Sequence, residues 1–301
     1  MKILNYLSKK LIIIICSNSL IITSLMFVGC SKEFNKKFTE AKLNAEKGNY
    51  KQAIKSYDEA IKLNDSHAVS YNNRGLIKYK MGNYAQALLD YNKAISLNKN
   101  FSIAYNNRGL VFNNLKRFED AIKDYDKALK INPKFALAYN NRGMAELNLG
   151  KKEKALKDFN KAIKIDPNCY EAYDNRGYLK HLDKKYKEAI KDYNKAIKIN
   201  PKFIEAYNNR GLAKNYLKKY RAAIKDYEKA LKINPNYAMA FNNRGLAKFN
   251  LNLYKEALAD FEKAIKLAPN FQLAIQNRDY LKKIIKLKNN VKPQKKLNNN
   301  K

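Results

Sequence analysis

The sequence predicts an all-α chain built as a solenoid of stacked helix hairpins, and three observations predict it. A block reading Tyr/Phe-Asn-Asn-Arg-Gly recurs every 34 residues, at 71–75, 105–109, 139–143, 207–211 and 241–245, with Asp174 the one change at 173–177. A second block spaces Ala, an aromatic and Ala at i, i+4 and i+7, as in Ala121, Tyr125 and Ala128, which is one face of a helix. Prolines 133, 167, 201, 235 and 269 follow five of these blocks. Proline disfavours helical geometry in the residue before it and has no N–H of its own, so each marks a helix end. A fixed period of this length means supersecondary units that cannot bury their apolar face alone and therefore stack.

Each unit reads as two helices. On the first, glycines 75, 109, 143, 177, 211 and 245 keep strict register. On the second, alanines recur at 53, 87, 121, 155, 189, 223 and 257 and again at 60, 94, 128, 162, 196, 230 and 264. Between them stand Tyr57, Tyr91, Tyr125, Phe159, Tyr193, Tyr227 and Phe261. Small residues let two backbones approach, and the aromatic fills the space beside them. These residues resemble the tetratricopeptide repeat (TPR) pattern W-x2-L-G-x2-Y, A-x3-F, Ala and Pro. The resemblance covers 34–271 as seven units, 34–67, 68–101, 102–135, 136–169, 170–203, 204–237 and 238–271. It implies a right-handed superhelical α-solenoid of seven hairpins plus a C-terminal cap helix, with the first helices lining the concave surface. Arg replaces the family's leucine before glycine. Lys78, Lys180, Lys214 and Lys248 replace the aromatic three residues after it, where Phe112 is retained.

The chain opens outside the repeats. Lys2, Lys9 and Lys10 precede an apolar run from Leu11 to Val28 that reads as an export signal over 1–29. Gly29-Cys30 resembles the end of a bacterial lipobox, loosely because Phe27 is unusual there. The expectation is a lipidated Cys30, a tether over 30–33, and an exported lipoprotein held on a membrane, facing the periplasm or the cell surface. An uncleaved signal anchor is the alternative. Cys16 would leave with the signal and Cys169 would stand alone, so packing rather than disulfides must supply stability. In the turn between two repeats, Cys169 reads as a small structural residue.

The first unit is degenerate, with Lys37, Thr39, Glu40 and Ala41 where the others have Tyr, Asn, Arg and Gly, as a terminal unit facing water allows. At the other end 272–288 reads as a cap helix with Asp279 at the glycine position. Ala274, Ile275, Leu281, Ile284 and Ile285 would cover the last repeat. Residues 289–301 are Asn, Lys, Pro and Gln, a basic tail too polar to fold alone. Formal net charge is +34, and losing the three leader lysines leaves +31. Lys123, Lys127 and Lys130 recur as Lys157, Lys161, Lys164 and as Lys191, Lys195, Lys198, a solvated stripe opposite the alanine face. Such a stripe serves solubility or attracts an anionic polymer or lipid head groups. Without interleaved aromatics it gives no reason to expect nucleic acid.

Catalytic patterns are missing from the sequence. His67 and His181 have no Cys, His or carboxylate partner at ligand spacing, and there is no phosphate loop, nucleophile elbow or zinc pattern, so no enzyme, metal or cofactor is expected. The working surface is the first helix. Asn73, Asn107, Asn141, Asn175, Asn209 and Asn243, with Asn277 in the cap helix, stand mid-helix, where propensity does not favour asparagine. Three residues on are Leu76, Leu110, Met144, Tyr178, Leu212 and Leu246, and four before stand Val69, Ile103, Leu137 and Met239, all on one face. The resemblance implies a role for the asparagines. The TPR domain of O-linked N-acetylglucosamine transferase holds an extended polypeptide with an asparagine ladder at the equivalent position, and recent repeat duplication is the competing account. A carboxamide can donate to a peptide carbonyl and accept from its N–H at once. The family's carboxylate clamp is not supported, since Asn106 and Leu110 stand where it needs Lys and Asn. The reading is therefore a scaffold binding an extended polypeptide in the concave groove in envelope assembly, with a basic binder of anionic polymer as the alternative.

Arg74, Arg108, Arg142, Arg176, Arg210, Arg244 and Arg278 precede the glycine position, and Asp90, Asp124, Asp158, Asp192, Asp226 and Asp260 stand fifteen residues after it. The first unit lacks both, with Glu40 and Ser56. Joint loss predicts structural pairs across each hairpin, formed within a repeat so that Arg278 is left over at an exposed end.

Overall fold

The computed structural model describes residues 31–291, with side chains to 288. The export signal over 1–29, Cys30 and the chain beyond 291 lie outside the described residues. Every element described is a helix: α1 over 31–46, α2 Tyr50–Leu63, α3 Ala68–Lys80, α4 Tyr84–Leu97, α5 Ser102–Asn114, α6 Phe118–Ile131, α7 Ala136–Asn148, α8 Lys152–Ile165, α9 Tyr170–Leu182, α10 Tyr186–Ile199, α11 Ile204–Tyr216, α12 Tyr220–Ile233, α13 Ala238–Asn250, α14 Tyr254–Leu267 and α15 Gln272–Val291. Two boundaries move from expectation. Residues 31–33, expected in a tether, already belong to α1, continuing the helical register of Phe34, Phe38 and Ala41. The final helix runs on to Val291 rather than 288.

The chain forms two compact units divided between Lys134 and Phe135. In the first, hairpins α1–α2, α3–α4 and α5–α6 follow one another, α2 packing on α3 and α4 on α5, with first helices α3 and α5 side by side. In the second, hairpins α7–α8, α9–α10, α11–α12 and α13–α14 precede α15, and the first helices α7, α9, α11, α13 and α15 lie in a row.

The core sits inside each hairpin. Tyr91, Tyr125, Phe159, Tyr193, Tyr227 and Phe261 are buried, flanked by alanines with no exposed surface. Each ring presses on the glycine of its own first helix: a Cβ on Gly109 would lie 2.7 Å from Tyr125 Cε1, and one on Gly143 2.8 Å from Phe159 Cε1. Close approach therefore explains these glycines, at ordinary helical backbone angles. Cys169 is buried against Ala162 and Ala172, and burial pushes its thiol up to about 11, so it packs as a small apolar residue.

The two turns of each repeat have different chemistry. Between the helices of a hairpin one residue is left-handed: Gly48, Gly82 and Gly150 at φ of 75–79°, but Lys116, Lys184, Lys218 and Asn252 at 59–60°. The last carbonyls are closed there by bonds such as Lys185 N–H to the Lys180 carbonyl. Between repeats, Asn98, Asn132, Asp166, Asn200 and Asn234 each accept the N–H two residues on, an Asx turn that fixes the exit from the second helix. In the final helix, Ala274 and Leu281 are fully buried and Ile285 packs on the Phe261 cluster, while Asp279 is exposed because no second helix presses on it.

Candidate functional site

In each unit the first helices present a face that no other described element covers. Its second position is exposed: Val69 and Ile103 in the first unit, Leu137, Met239 and Leu273 in the second, between 37% and 49% accessible. On the same face one turn or two further on stand the asparagines and then Leu76, Leu110, Met144, Tyr178, Leu212 and Leu246. Tyr178 is the exposed member of that last set, and the others are half-buried.

The asparagines are not idle. Asn107 donates from Nδ2 to Asn72 Oδ1 at 3.0 Å, Asn175 to Asn140 at 2.8 Å, Asn243 to Asn208 at 3.0 Å and Asn277 to Asn242 at 2.8 Å. Asn209 reaches both Asp174 oxygens at 3.2 Å. Within a repeat the first asparagine donates to the second, as Asn72 to Asn73, Asn106 to Asn107, Asn140 to Asn141 and Asn242 to Asn243. The carboxamides therefore form zigzag chains that join neighbouring first helices. A purely ligand-facing ladder is corrected on this point: Asn107 and Asn243 each spend a donor and an acceptor on the fold, and Asn175, Asn209 and Asn277 spend donors on it. Alanine at Asn107, Asn175 or Asn209 therefore removes an inter-helix bond. One N–H and one lone pair of Asn107 and of Asn243 are left over by these bonds.

Above about pH 7 Asp174 interrupts the chain, since an ionised carboxylate cannot donate. It is buried, and burial pushes its carboxyl up to about 7, opposed by the Asn209 amide and reinforced by the Glu205 charge.

The arginines knot three helices. Arg74, Arg108, Arg142, Arg176, Arg210 and Arg244 each fork from Nε and Nη2 to both oxygens of Asp90, Asp124, Asp158, Asp192, Asp226 and Asp260 respectively, at 2.6–3.0 Å. Arg142 thus holds the aspartate of its own hairpin. The remaining Nη1 reaches back to the preceding second helix, Arg74 to Asp58, Arg108 to Asn92, Arg176 to Asn160 and Arg210 to Asn194. Each guanidinium also lies over the aromatic three residues earlier, 5.3–5.6 Å from its centroid. The lysines at the family's aromatic position join the same carboxylates, Lys78 on Asp90, Lys180 on Asp192, Lys214 on Asp226 and Lys248 on Asp260, at 2.7–2.8 Å. Phe112 instead packs under the guanidinium of Arg117, 4.6 Å from its centroid. Arg278 turns to its neighbour Asp279 at 2.8 Å.

The two histidines are packing residues. His67 lies against Phe34 and Phe38 with Nδ1 on Ser70 Oγ, and His181 against Tyr186 and Tyr216, and burial lowers both imidazoles' pKa. Lys157, Lys161, Lys164, Lys191, Lys195 and Lys198 are exposed on the outer side of α8 and α10.

A family profile described as tetratricopeptide repeat matches residues 68–101, 102–135, 136–169, 204–237 and 238–271, and a second, described as TPR repeat, matches 42–82 and 183–215. Among solved structures, the chain is similar to one in the crystal structure of the APC/C hetero-tetramer Cut9-Hcn1, at 17% identity and a TM-score of 0.69 over 77% of this chain. It spans about half of that chain's length, 48%. It is also similar to a tetratricopeptide repeat protein from Parabacteroides merdae, at 22% identity and a TM-score of 0.64, covering 83% of this chain and 99% of that one. No curated protein sequence matches it.

Proposed function

The chain belongs to the tetratricopeptide repeat family, and from that premise we propose that it binds an extended polypeptide along the open face of its first helices. Repeats of this family build protein interaction scaffolds, and this chain is one. The observation that carries the peptide reading is the uncovered apolar second position. Val69, Ile103, Leu137, Met239 and Leu273 are more than a third exposed, although Ala104, Ala138, Ala240 and Ala274 on four of the same helices have no exposed surface. In each unit such positions offer pockets for side chains, and the spare amide capacity of the asparagines beside them suits a peptide backbone whatever its sequence. Adjacent first helices about 9–10 Å apart would meet an extended chain, at about 3.3 Å per residue, every third residue.

Changing Leu137 and Met239 together to Ser tests the reading. Both are surface residues, so thermal stability should hold while a polypeptide captured by the wild-type chain is lost. Capture that is unchanged in the double variant overturns it.

Location belongs to the same proposal. No described helix is long and apolar enough to cross a membrane. Attachment in this reading rests on residues 1–30, with Cys30 lipidated after export and the scaffold working in envelope assembly. Cys30→Ser should release the protein from membranes or stall its maturation; unchanged retention and size would favour a signal anchor. The exposed lysines of α8 and α10 support a second reading, attraction to an anionic polymer, which added salt should abolish while leaving groove binding in place.

A further inference from the structure

In a chain with 61 Lys and Arg against 27 Asp and Glu, the groove face of the second unit carries the opposite sign. Its second position runs Leu137, Glu171, Glu205, Met239 and Leu273 along α7, α9, α11, α13 and α15. The cations of these first helices are turned away from that row. Arg176 and Arg210, with Lys180 and Lys214, are held on the buried Asp192 and Asp226 of the second helices. The asparagine position and the position three beyond it are uncharged along the whole row. Glu171 and Glu205 are therefore the formal charges of this face. Among the described residues neither is in an ion pair, although the chain carries 61 Lys and Arg. Glu171 receives only the Cys169 thiol at 3.8 Å and the Tyr170 hydroxyl. Behind them, one turn along α9 from Glu171, lies Asp174, tied to α11 by Asn209.

Resting on the groove reading above, we propose that the polypeptide taken by the second unit has a basic pair at its centre with apolar residues on both sides. The apolar flanks are set by Leu137 on one side and Met239 on the other, and the charge between them selects the centre. First helices about 9–10 Å apart put Glu171 and Glu205 about three extended residues from each other, and each apolar position about three residues further out. The matching segment is apolar-x-x-basic-x-x-basic-x-x-apolar. Its cations meet two carboxylates at a partly water-excluded surface, where opposite charge contributes mainly specificity and association rate. The outer lysine stripes repel the same segment from the rest of the protein, which directs it to this face.

The probe is a labelled ten-residue peptide of that pattern with Leu at the ends and two lysines, compared with the same peptide carrying glutamine at both basic positions, each titrated into the full chain by fluorescence anisotropy. The lysine peptide should bind at least about tenfold more tightly. In the double variant Glu171→Gln/Glu205→Gln, with both changes on exposed or half-exposed side chains, that preference should fall to about twofold while the glutamine peptide binds as before. Equal binding of the two peptides by the wild type, or a preference that survives in the double variant, overturns the proposal. If the peptides bind equally and Leu137→Ser/Met239→Ser still abolishes binding, the groove reading stands and the charge rule fails. If neither peptide binds, both fail.

Discussion

At the scale of single residues, buried charge decides most of what this chain tolerates. Asp226 is 3% exposed and accepts both Arg210 and Lys214, so Asp226→Ala leaves two cations against a packed interface and should cost about 3–5 kcal/mol by denaturant unfolding. A double-mutant cycle with Arg210 that showed no coupling would refute the pair. Asp174 gives a pH signature. Its folded pKa is raised to about 7, so below about 4 the carboxyl is protonated in both states and costs nothing. As pH climbs through the interval from about 4 to 7 the unfolded chain ionises first, and stability falls by at most roughly 4 kcal/mol before levelling off. Asp174→Asn, which supplies the residue most other repeats carry, should remove that fall, raising the melting temperature at pH 8 more than at pH 5. The hydroxyls of Tyr91, Tyr125, Tyr193 and Tyr227 are buried without a hydrogen-bond partner, in a position where Phe159 and Phe261 also serve. Tyr125→Phe should therefore leave stability unchanged or raise it by about 1 kcal/mol, and a loss of that size would show the hydroxyl has a use.

Helices and turns show what could be read ahead of the structure and what could not. The hairpins were legible because Ala, ring, Ala and Gly each occur at a spacing that only one helix face satisfies. The arginine–aspartate fork was legible for a different reason: both members vanish together from the first repeat. The second bond of the Arg108, Arg176 and Arg210 guanidinium groups, from Nη1 to Asn92, Asn160 and Asn194 on the preceding second helix, was not legible, because those residues lie outside the pair that is lost together. The amide chains were hidden, because Asn107 bonds a residue 35 positions back, one more than the period, and no pattern within a repeat points there. The hairpin turn was hidden as well. Gly82 and Gly150 announce a left-handed residue, but Lys184 and Lys218 occupy the same conformation with nothing in their chemistry to suggest it. Lys184→Gly should accordingly gain up to about 1 kcal/mol, since a left-handed non-glycine residue costs about 1–2 kcal/mol and glycine's extra unfolded-state freedom takes part of that back. Thermal unfolding that dropped in this variant would mean the side chain holds something else.

On the scale of the whole molecule, each repeat after the first keeps one buried aspartate beneath its arginine, from Asp90 to Asp260. Every polar bond that repeats does so either inside one hairpin or one hairpin back. The Asn243 amide looks to residue 208, the Arg210 fork to residues 226 and 194, and neither needs anything further away. The molecule is thus indifferent to how many copies it holds. Excising residues 204–237 would bring Asn243 over Asp174 and set Arg244 beside Asn194, with no donor or acceptor stranded at the splice. Stability in such arrays is close to a sum over copies and their junctions, so the shortened chain should fold cooperatively with a lower midpoint, and a protein that instead unfolded outright would show a hidden long-range dependence. Length in this protein can therefore drift by whole copies during gene duplication or loss, each product inheriting a complete set of partners.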